Sequence, residues 1–336
     1  MIGAVDGNGF RASITGIGAY VPDRVLTNDE LSQMVDTSDE WIVERTGIRE
    51  RRIAAPEQAL SDLCRPAAEQ ALERAGAEAA SIDLLIVATV TPDMSFPSTA
   101  AILADQLGAP DAGAYDLSAG CTGFMYALAQ AYGMLAGGLA TRALVVGGDV
   151  LSKILDWSDR STCVLFGDGA GAVVMERADS GGFLGFELGA DGSGGPQLYM
   201  PAGGSRSPAS AETIAQRQHF AHMNGREVFK FATRVLVSSA EEILEECGHT
   251  VSDLDLYIPH QANVRIIDHA VHKLGISGDK VVVNVDRYGN TSSGSIPLAL
   301  ADAVAENRLR QGDLLLMTGM GAGLTWGSAL MEWSPR

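Results

Sequence analysis

The chain has 336 residues, 46% hydrophobic and 20% charged, and a formal net charge of −18 from 24 Lys+Arg against 42 Asp+Glu. That composition supports large apolar cores and excludes a disordered chain. So acidic a surface is repelled by phosphate backbones and anionic lipid, so neither nucleic acid nor a membrane is expected as a partner. Residues 1–20 lack a basic segment followed by an apolar run, so no signal peptide is expected and the chain is assigned to the cytoplasm. Cys64, Cys121, Cys163 and Cys247 include no C-x-x-C pair, which fits a reducing compartment without a disulfide or zinc framework.

A helix pattern from Leu72 stops at Ala75-Gly76, and residues 82–87 follow as a buried strand. Gly120-Cys121 opens a helix over 122–131. Its uncharged run continues to Ala140, near bilayer length, but the Ala, Gly, Gln130, Tyr126 and Tyr132 fit a helix inside a protein core. Residues 143–148 read as a strand ending in glycines, and 192–217, rich in Gly, Ser and Pro, as a variable surface loop. The series then repeats. A helix pattern from Glu241 stops at Cys247-Gly248, and a strand covers 254–258. Gly289-Asn290 precedes a helix over 295–304, and 314–319 is a strand ending in glycine.

The corresponding landmarks keep their spacing. Gly76 and Gly248 are 172 positions apart, as are Asp83 and Asp255; Cys121 and Asn290 are 169 apart, and Gly148 and Gly319 are 171 apart. This predicts one α/β unit written twice, as halves 12–178 and 179–336 after an extension 1–11, packed about a pseudo-twofold axis. The helices after Cys121 and Asn290 are apolar all round, as expected of helices between two sheets.

Three residues stand where such a fold gathers chemistry. Cys121, among small residues at a helix start, feels the positive end of the helix dipole, worth about 1 kcal/mol towards a thiolate. It reads as a nucleophile or, alternatively, as a small buried hydrophobe. The other three cysteines read as core. His260 follows a strand directly and is stiffened by Pro259, so it is a functional group at a strand end or a core histidine. Asn290 alone fits a turn or N-cap. Its equivalence to Cys121 points both into one cavity. The glycine clusters 167–171 and 319–323 lack the G-x-G-x-x-G form and predict tight backbone approach. The pairs His219/His222 and His269/His272 lack a third ligand, so no metal site is expected. Glu241, Glu242, Glu245 and Glu246 read as a solvated helix face.

The motifs Thr37-Ser38-Asp39-Glu40-Trp41-Ile42, Arg45-Thr46-Gly47-Ile48-Arg49, Ala119-Gly120-Cys121, Phe166-Gly167-Asp168-Gly169-Ala170-Gly171, Pro259-His260-Gln261-Ala262-Asn263 and Tyr288-Gly289-Asn290-Thr291-Ser292 together resemble β-ketoacyl-acyl-carrier-protein synthase III over about residues 12–333. The resemblance implies the thiolase fold, with five αβαβα layers. It implies a condensing acyltransferase that starts fatty-acid synthesis from an acyl-coenzyme A primer and malonyl-acyl carrier protein, without metal or redox cofactor. Cys121 is then the acylated nucleophile, with His260 and Asn290 as its partners. Chain-elongating relatives carry a second histidine where Asn290 stands. The N–H groups of Cys121 and Ala322 would form the oxyanion hole. Trp41, Arg45, Arg160, Gly225, Phe229 and Asn263 match coenzyme A contacts, with Trp41 and Arg160 flanking the adenine. Lys230 and Arg265 match a basic rim for acidic acyl carrier protein, a local patch that an acidic enzyme needs for an acidic partner. Phe96 matches an aromatic that enters a partner subunit's acyl pocket, which implies a homodimer. Met320 replaces a common Phe in the acyl-pocket wall, and 192–217 is longer than usual; both bear on the primer. A condensing enzyme of secondary metabolism and a silent scaffold subunit are the alternatives; the scaffold predicts loss of a site residue, and all three are present.

Overall fold

The computed structural model describes residues 2–4 and 10–335. Two five-stranded sheets carry the fold. Across the first lie Ala12–Tyr20, Gly169–Arg177, Arg142–Asp149, Leu84–Ala88 and Gly113–Leu117. The first two junctions are antiparallel and the last two parallel. Across the second lie Ile2–Ala4, Gly182–Ala190, Thr325–Glu332, Leu314–Gly321 and Leu256–Pro259. From Gly182–Ala190 onward its junctions are antiparallel, antiparallel and parallel, the same series as in the first sheet. Beyond Leu256–Pro259, a parallel bridge from Tyr257 to Val281 stands where the first sheet has its fifth strand. Ile2–Ala4 pairs with the opposite edge of this second sheet, so part of 1–11 belongs to it rather than trailing from the first.

The central strands are continuous Val, Leu, Ile and Met runs because both their faces are covered. Leu60–Ala75 and Thr99–Leu107 cover one outer face, and Gly225–Glu246 and Val264–Leu274 the other. Gly123–Ala136 and Ser295–Ala305 fill the space between the sheets. Leu298, Ala299, Leu300 and Ala301 are consecutive and all buried, which one-sided packing does not allow. The predicted helix stop at Gly76 is a left-handed C-cap. No helix of the described residues is long and apolar enough to cross a membrane.

The segment 192–217 differs from the plain loop expected of its composition. It folds as a 3-10 turn, Gly192–Gln197, a strand, Leu198–Tyr199, paired with His222–Met223, and a short helix, Ala211–Ala215. Side-chain caps from Asp191 and Ser210 supply the bonds that the loop chemistry left open. At its end the Arg217 guanidinium forks onto both oxygens of Asp156.

Candidate active site

Cys121 stands two residues before Gly123–Ala136. The glycine loop 319–323 is pressed against it. A β-carbon on Gly120 would lie 2.6 Å from Ala322 N, and one on Gly321 would lie 2.5 Å from Cys121 N. Only glycine allows that backbone-on-backbone contact, and Gly120 also takes a φ of 58°. The Thr325 hydroxyl bridges Ala119 O at 2.8 Å and Ala322 O at 3.0 Å, sewing the two segments together. The 167–171 cluster is likewise a tight crossing. A β-carbon on Gly167 would meet Tyr288 O at 2.3 Å, and the Asp168 carboxylate accepts from Ala54 N and Ser152 N.

His260 leaves Leu256–Pro259 with its N–H on Thr318 O at 2.8 Å. Its Nδ1 bonds the hydroxyl of Ser295, the first residue of the second central helix, while Nε2 is buried without a partner among the described residues. Gln261 N donates to that same hydroxyl oxygen, so the hydroxyl proton is available to Nδ1 and the ring proton is assigned to Nε2. Asn290 is fixed by its backbone, donating to Leu165 O and accepting from Gly167 N. Its Oδ1 accepts from Ser292 N at 2.8 Å, which leaves the Nδ2 donors for the cavity.

Burial controls the electrostatics. It pushes the Cys121 thiol up to about 12; Asp149 adds to this, and the Ser292 hydroxyl and the residue's own backbone oppose it. A rise of that size corresponds to roughly 4 kcal/mol, against about 1 kcal/mol from the helix dipole. The resting residue is therefore a thiol, opposite to the thiolate that the helix start suggested. Burial also lowers His260 to about 3, so its imidazole is neutral.

Cys121, His260 and Asn290 line one cavity of about 250 Å³. Arg45, Gly225, Phe229, Asn263, Arg265 and Met320 line it too. Trp41 is reached through its rim, where the guanidinium carbons of Arg45 and Arg160 stand 4.8 Å and 5.1 Å from the centre of the indole ring. Asn263 donates through Nδ2 to Arg45 O at 3.0 Å, and Arg265 lies over the Phe229 ring at 5.8 Å. A second cavity of about 160 Å³, mostly apolar, touches Cys121 and is walled by Val90, Leu155, Phe166, Met200 and Ala322 among others. Cys121 and Phe166 thus belong to both. Met320 lies on the first cavity and not on this apolar one, and Phe96 lines neither and is 85% exposed. Lys230 pairs with Glu227 one turn away and lines a separate shallow groove. Among the described residues no group of three or more His, Cys, Asp and Glu could hold a metal ion.

Sequence reasoning missed Asp149, Ser292 and Ser295. Asp149 ends a glycine-terminated strand, a strand-end signal of the same kind that exposed His260. Ser292 and Ser295 closely follow Asn290, but a serine there reads as helix-start chemistry until its burial is known.

Comparison with known proteins agrees with this architecture. Residues 115–192 match the family 3-oxoacyl-[acyl-carrier-protein (ACP)] synthase III, and 244–333 match its C-terminal part. The β-ketoacyl-[acyl-carrier-protein] synthase III of Desulfitobacterium hafniense is 56% identical over 324 residues, covering 96% of this chain and 98% of that one. That of Symbiobacterium thermophilum is 57% identical over 321 residues, covering 95% and 97%. The crystal structure of the Thermus thermophilus enzyme superposes with a TM-score of 0.90 at 49% identity, covering 96% of this chain and all of that one. With its thiolase fold, its duplicated sheets and this degree of identity along nearly its whole length, the chain belongs to the 3-oxoacyl-[acyl-carrier-protein] synthase III family.

Proposed function

We propose that this chain condenses an acyl-coenzyme A primer, acetyl-coenzyme A, with malonyl-acyl carrier protein, releasing coenzyme A and carbon dioxide and giving a 3-oxoacyl-acyl carrier protein. This is the initiating step of fatty-acid synthesis. The observation that carries the reading is the convergence of Cys121, His260 and Asn290 on one cavity, in a member of this family. The retained three also disfavour a silent scaffold subunit.

The sulfur of Cys121 attacks the primer thioester, and the thiol proton leaves with coenzyme A as its free thiol. The N–H groups of Cys121 and Ala322, on segments in direct contact, receive the oxyanion. The acyl group on Cys121 then faces the apolar cavity. Malonyl-acyl carrier protein loses carbon dioxide to leave a thioester enolate. The Nε2–H of neutral His260 and the Nδ2–H of Asn290 donate to the enolate oxygen. Its carbon attacks the acyl-Cys121 carbonyl and expels the sulfur as a thiolate, which takes a proton from water to restore the thiol. No metal or redox cofactor enters.

Trp41 with Arg160 and Arg45 offers a flat, cationic stack for adenine. Gly225, Phe229 and Asn263 flank the pantetheine arm, and Lys230 with Arg265 receives the carrier protein. Arg265 sits in the first turn of Val264–Leu274, where the helix dipole disfavours a cation, so its charge serves something other than the helix. Phe96, a full aromatic ring in water, fits burial in a second copy and a homodimer. Met320, beside Cys121 in the first cavity, bears on how the incoming thioester is seated. The division into 12–178 and 179–336 is drawn along the two sheets, and four cysteines without a C-x-x-C pair fit the cytoplasm.

The test separates the half-reactions. His260→Ala and Asn290→Ala should still take an acyl group from acetyl-coenzyme A, read as added mass on the intact protein, yet release no carbon dioxide from malonyl-acyl carrier protein. Normal decarboxylation with failed acylation would reverse the roles.

A further inference from the structure

Ser292 is left unassigned by the mechanism, and four observations single it out. It holds a φ of 51°, a left-handed backbone that serine rarely adopts. It is 1% exposed, and among the described residues its hydroxyl has no partner of ordinary hydrogen-bond geometry. It lines the apolar cavity together with Cys121. Its N–H holds Asn290 Oδ1, so the same residue that orients the amide also carries the unpartnered hydroxyl. A buried, unsatisfied hydroxyl on a costly backbone needs an explanation.

The neighbours supply one. On one side of the hydroxyl is Asp149, whose Oδ1 accepts from Thr89 Oγ1, Val90 N, Thr91 N and Thr91 Oγ1, and whose Oδ2 accepts from Ser293 N. Those bonds hold the 89–91 segment and the 292–294 turn to the end of Arg142–Asp149. On the other side is the Cys121 sulfur. The hydroxyl is close enough to both acids to oppose part of the rise that burial gives their pKa values. Asp149 itself opposes a negative sulfur, and Ser292 is within reach of both groups.

We infer that Ser292 is a further catalytic residue, whose hydroxyl donates a hydrogen bond to the Cys121 sulfur whenever that sulfur is anionic. This rests on the reading of Cys121 as the nucleophile. While Cys121 is a thiol, the hydroxyl proton turns towards Asp149. When the thiol proton leaves, or when the condensation step expels the sulfur from the tetrahedral intermediate, the hydroxyl rotates to the sulfur. No bond to the serine oxygen forms or breaks, and its proton stays on it. The left-handed backbone keeps the hydroxyl at the sulfur while the N–H stays on Asn290.

Alkylation of the full chain by iodoacetamide at pH 7 reads the thiolate directly, without turnover. Peptide mass mapping locates the label, and half-buried Cys247 is the internal reference. Ser292→Gly removes the hydroxyl and keeps the left-handed turn, so it separates the hydroxyl from the fold. The Cys121 rate should fall about tenfold in Ser292→Gly and in Ser292→Ala, the loss of one hydrogen bond to a charged sulfur, with the Cys247 rate unchanged. A Ser292→Gly protein that labels Cys121 at the parent rate would overturn the inference. Parent protein labelled at other cysteines but never at Cys121 would overturn the nucleophile reading, and this inference with it.

Discussion

Gly321→Ala tests whether the contact between two backbone segments sets the reacting geometry. Gly321 has no positive φ, so alanine fits its backbone and the effect is steric. The added carbon would lie 2.5 Å from Cys121 N, 3.0 Å from Thr122 N and 3.1 Å from the Thr122 hydroxyl. Ordinary contact begins at 3.4 Å, so the segments must part by about 0.9 Å. Cys121, whose N is the contact atom, and Ala322, one residue after Gly321, would carry their N–H groups apart by a similar distance. A misplacement of about 1 Å costs on the order of 100-fold in rate, and overpacking costs about 1–3 kcal/mol of stability. The assay is single-turnover acylation by acetyl-coenzyme A, followed by intact mass at a temperature where circular dichroism shows the variant folded. Gly278→Ala is the control, because nothing lies within 4 Å of its new carbon and its φ is not positive; it should acylate at the parent rate. Should Gly321→Ala acylate within about threefold of the parent, the packed loop would not control the oxyanion geometry.

Cys121→Ala should abolish acyl-enzyme formation, whereas Cys64→Ala, Cys163→Ala and Cys247→Ala leave turnover intact; acyl mass on the Cys121→Ala protein would remove the assignment. Burial raises Cys64 and Cys163 as well, so access from the cavity, not acidity, sets Cys121 apart. The His260 imidazole is held neutral to about pH 3, whereas the unfolded chain protonates it near 6.5, so stability is full above pH 6.5 and falls with pH through that window. Relative to His260→Gln, the parent should lose about 2 kcal/mol between pH 6.5 and pH 5 in urea unfolding; parallel curves would mean that the ring titrates normally in the fold. Arg265→Glu should raise KM for malonyl-acyl carrier protein about tenfold in low salt, while acylation by acetyl-coenzyme A and thermal stability hold, since a carboxylate suits the first turn of a helix. Equal loss in both half-reactions would mean that Arg265 acts through the cavity it lines and not through the carrier protein.

Much of this molecule is written in local signals. The repeat is legible because its strands are short apolar runs, one in each half ended by glycine, and each central helix is apolar all round, and neither pattern needs a neighbour to be seen. Cys121, His260 and Asn290 stand out because each sits at the end of an element, where side chains meet a ligand. What depends on burial and on distant segments is not legible in that way. The helix start argues for a thiolate at Cys121, but only the packed chain shows the desolvation that outweighs the dipole. Asp149 and Ser292 read as a strand end and a turn until packing places them beside one sulfur. Composition makes 192–217 a loop; its short strand forms because His222–Met223 offers a partner, and its end is held by Asp156, both from elsewhere in the chain. The resemblance puts Met320 in the acyl-pocket wall; in the packed chain it lines the first cavity with Cys121 and not the smaller apolar one. Strand period and helix ends are properties of a few adjacent residues, while dielectric, cavity walls and partner choice are properties of everything packed around them.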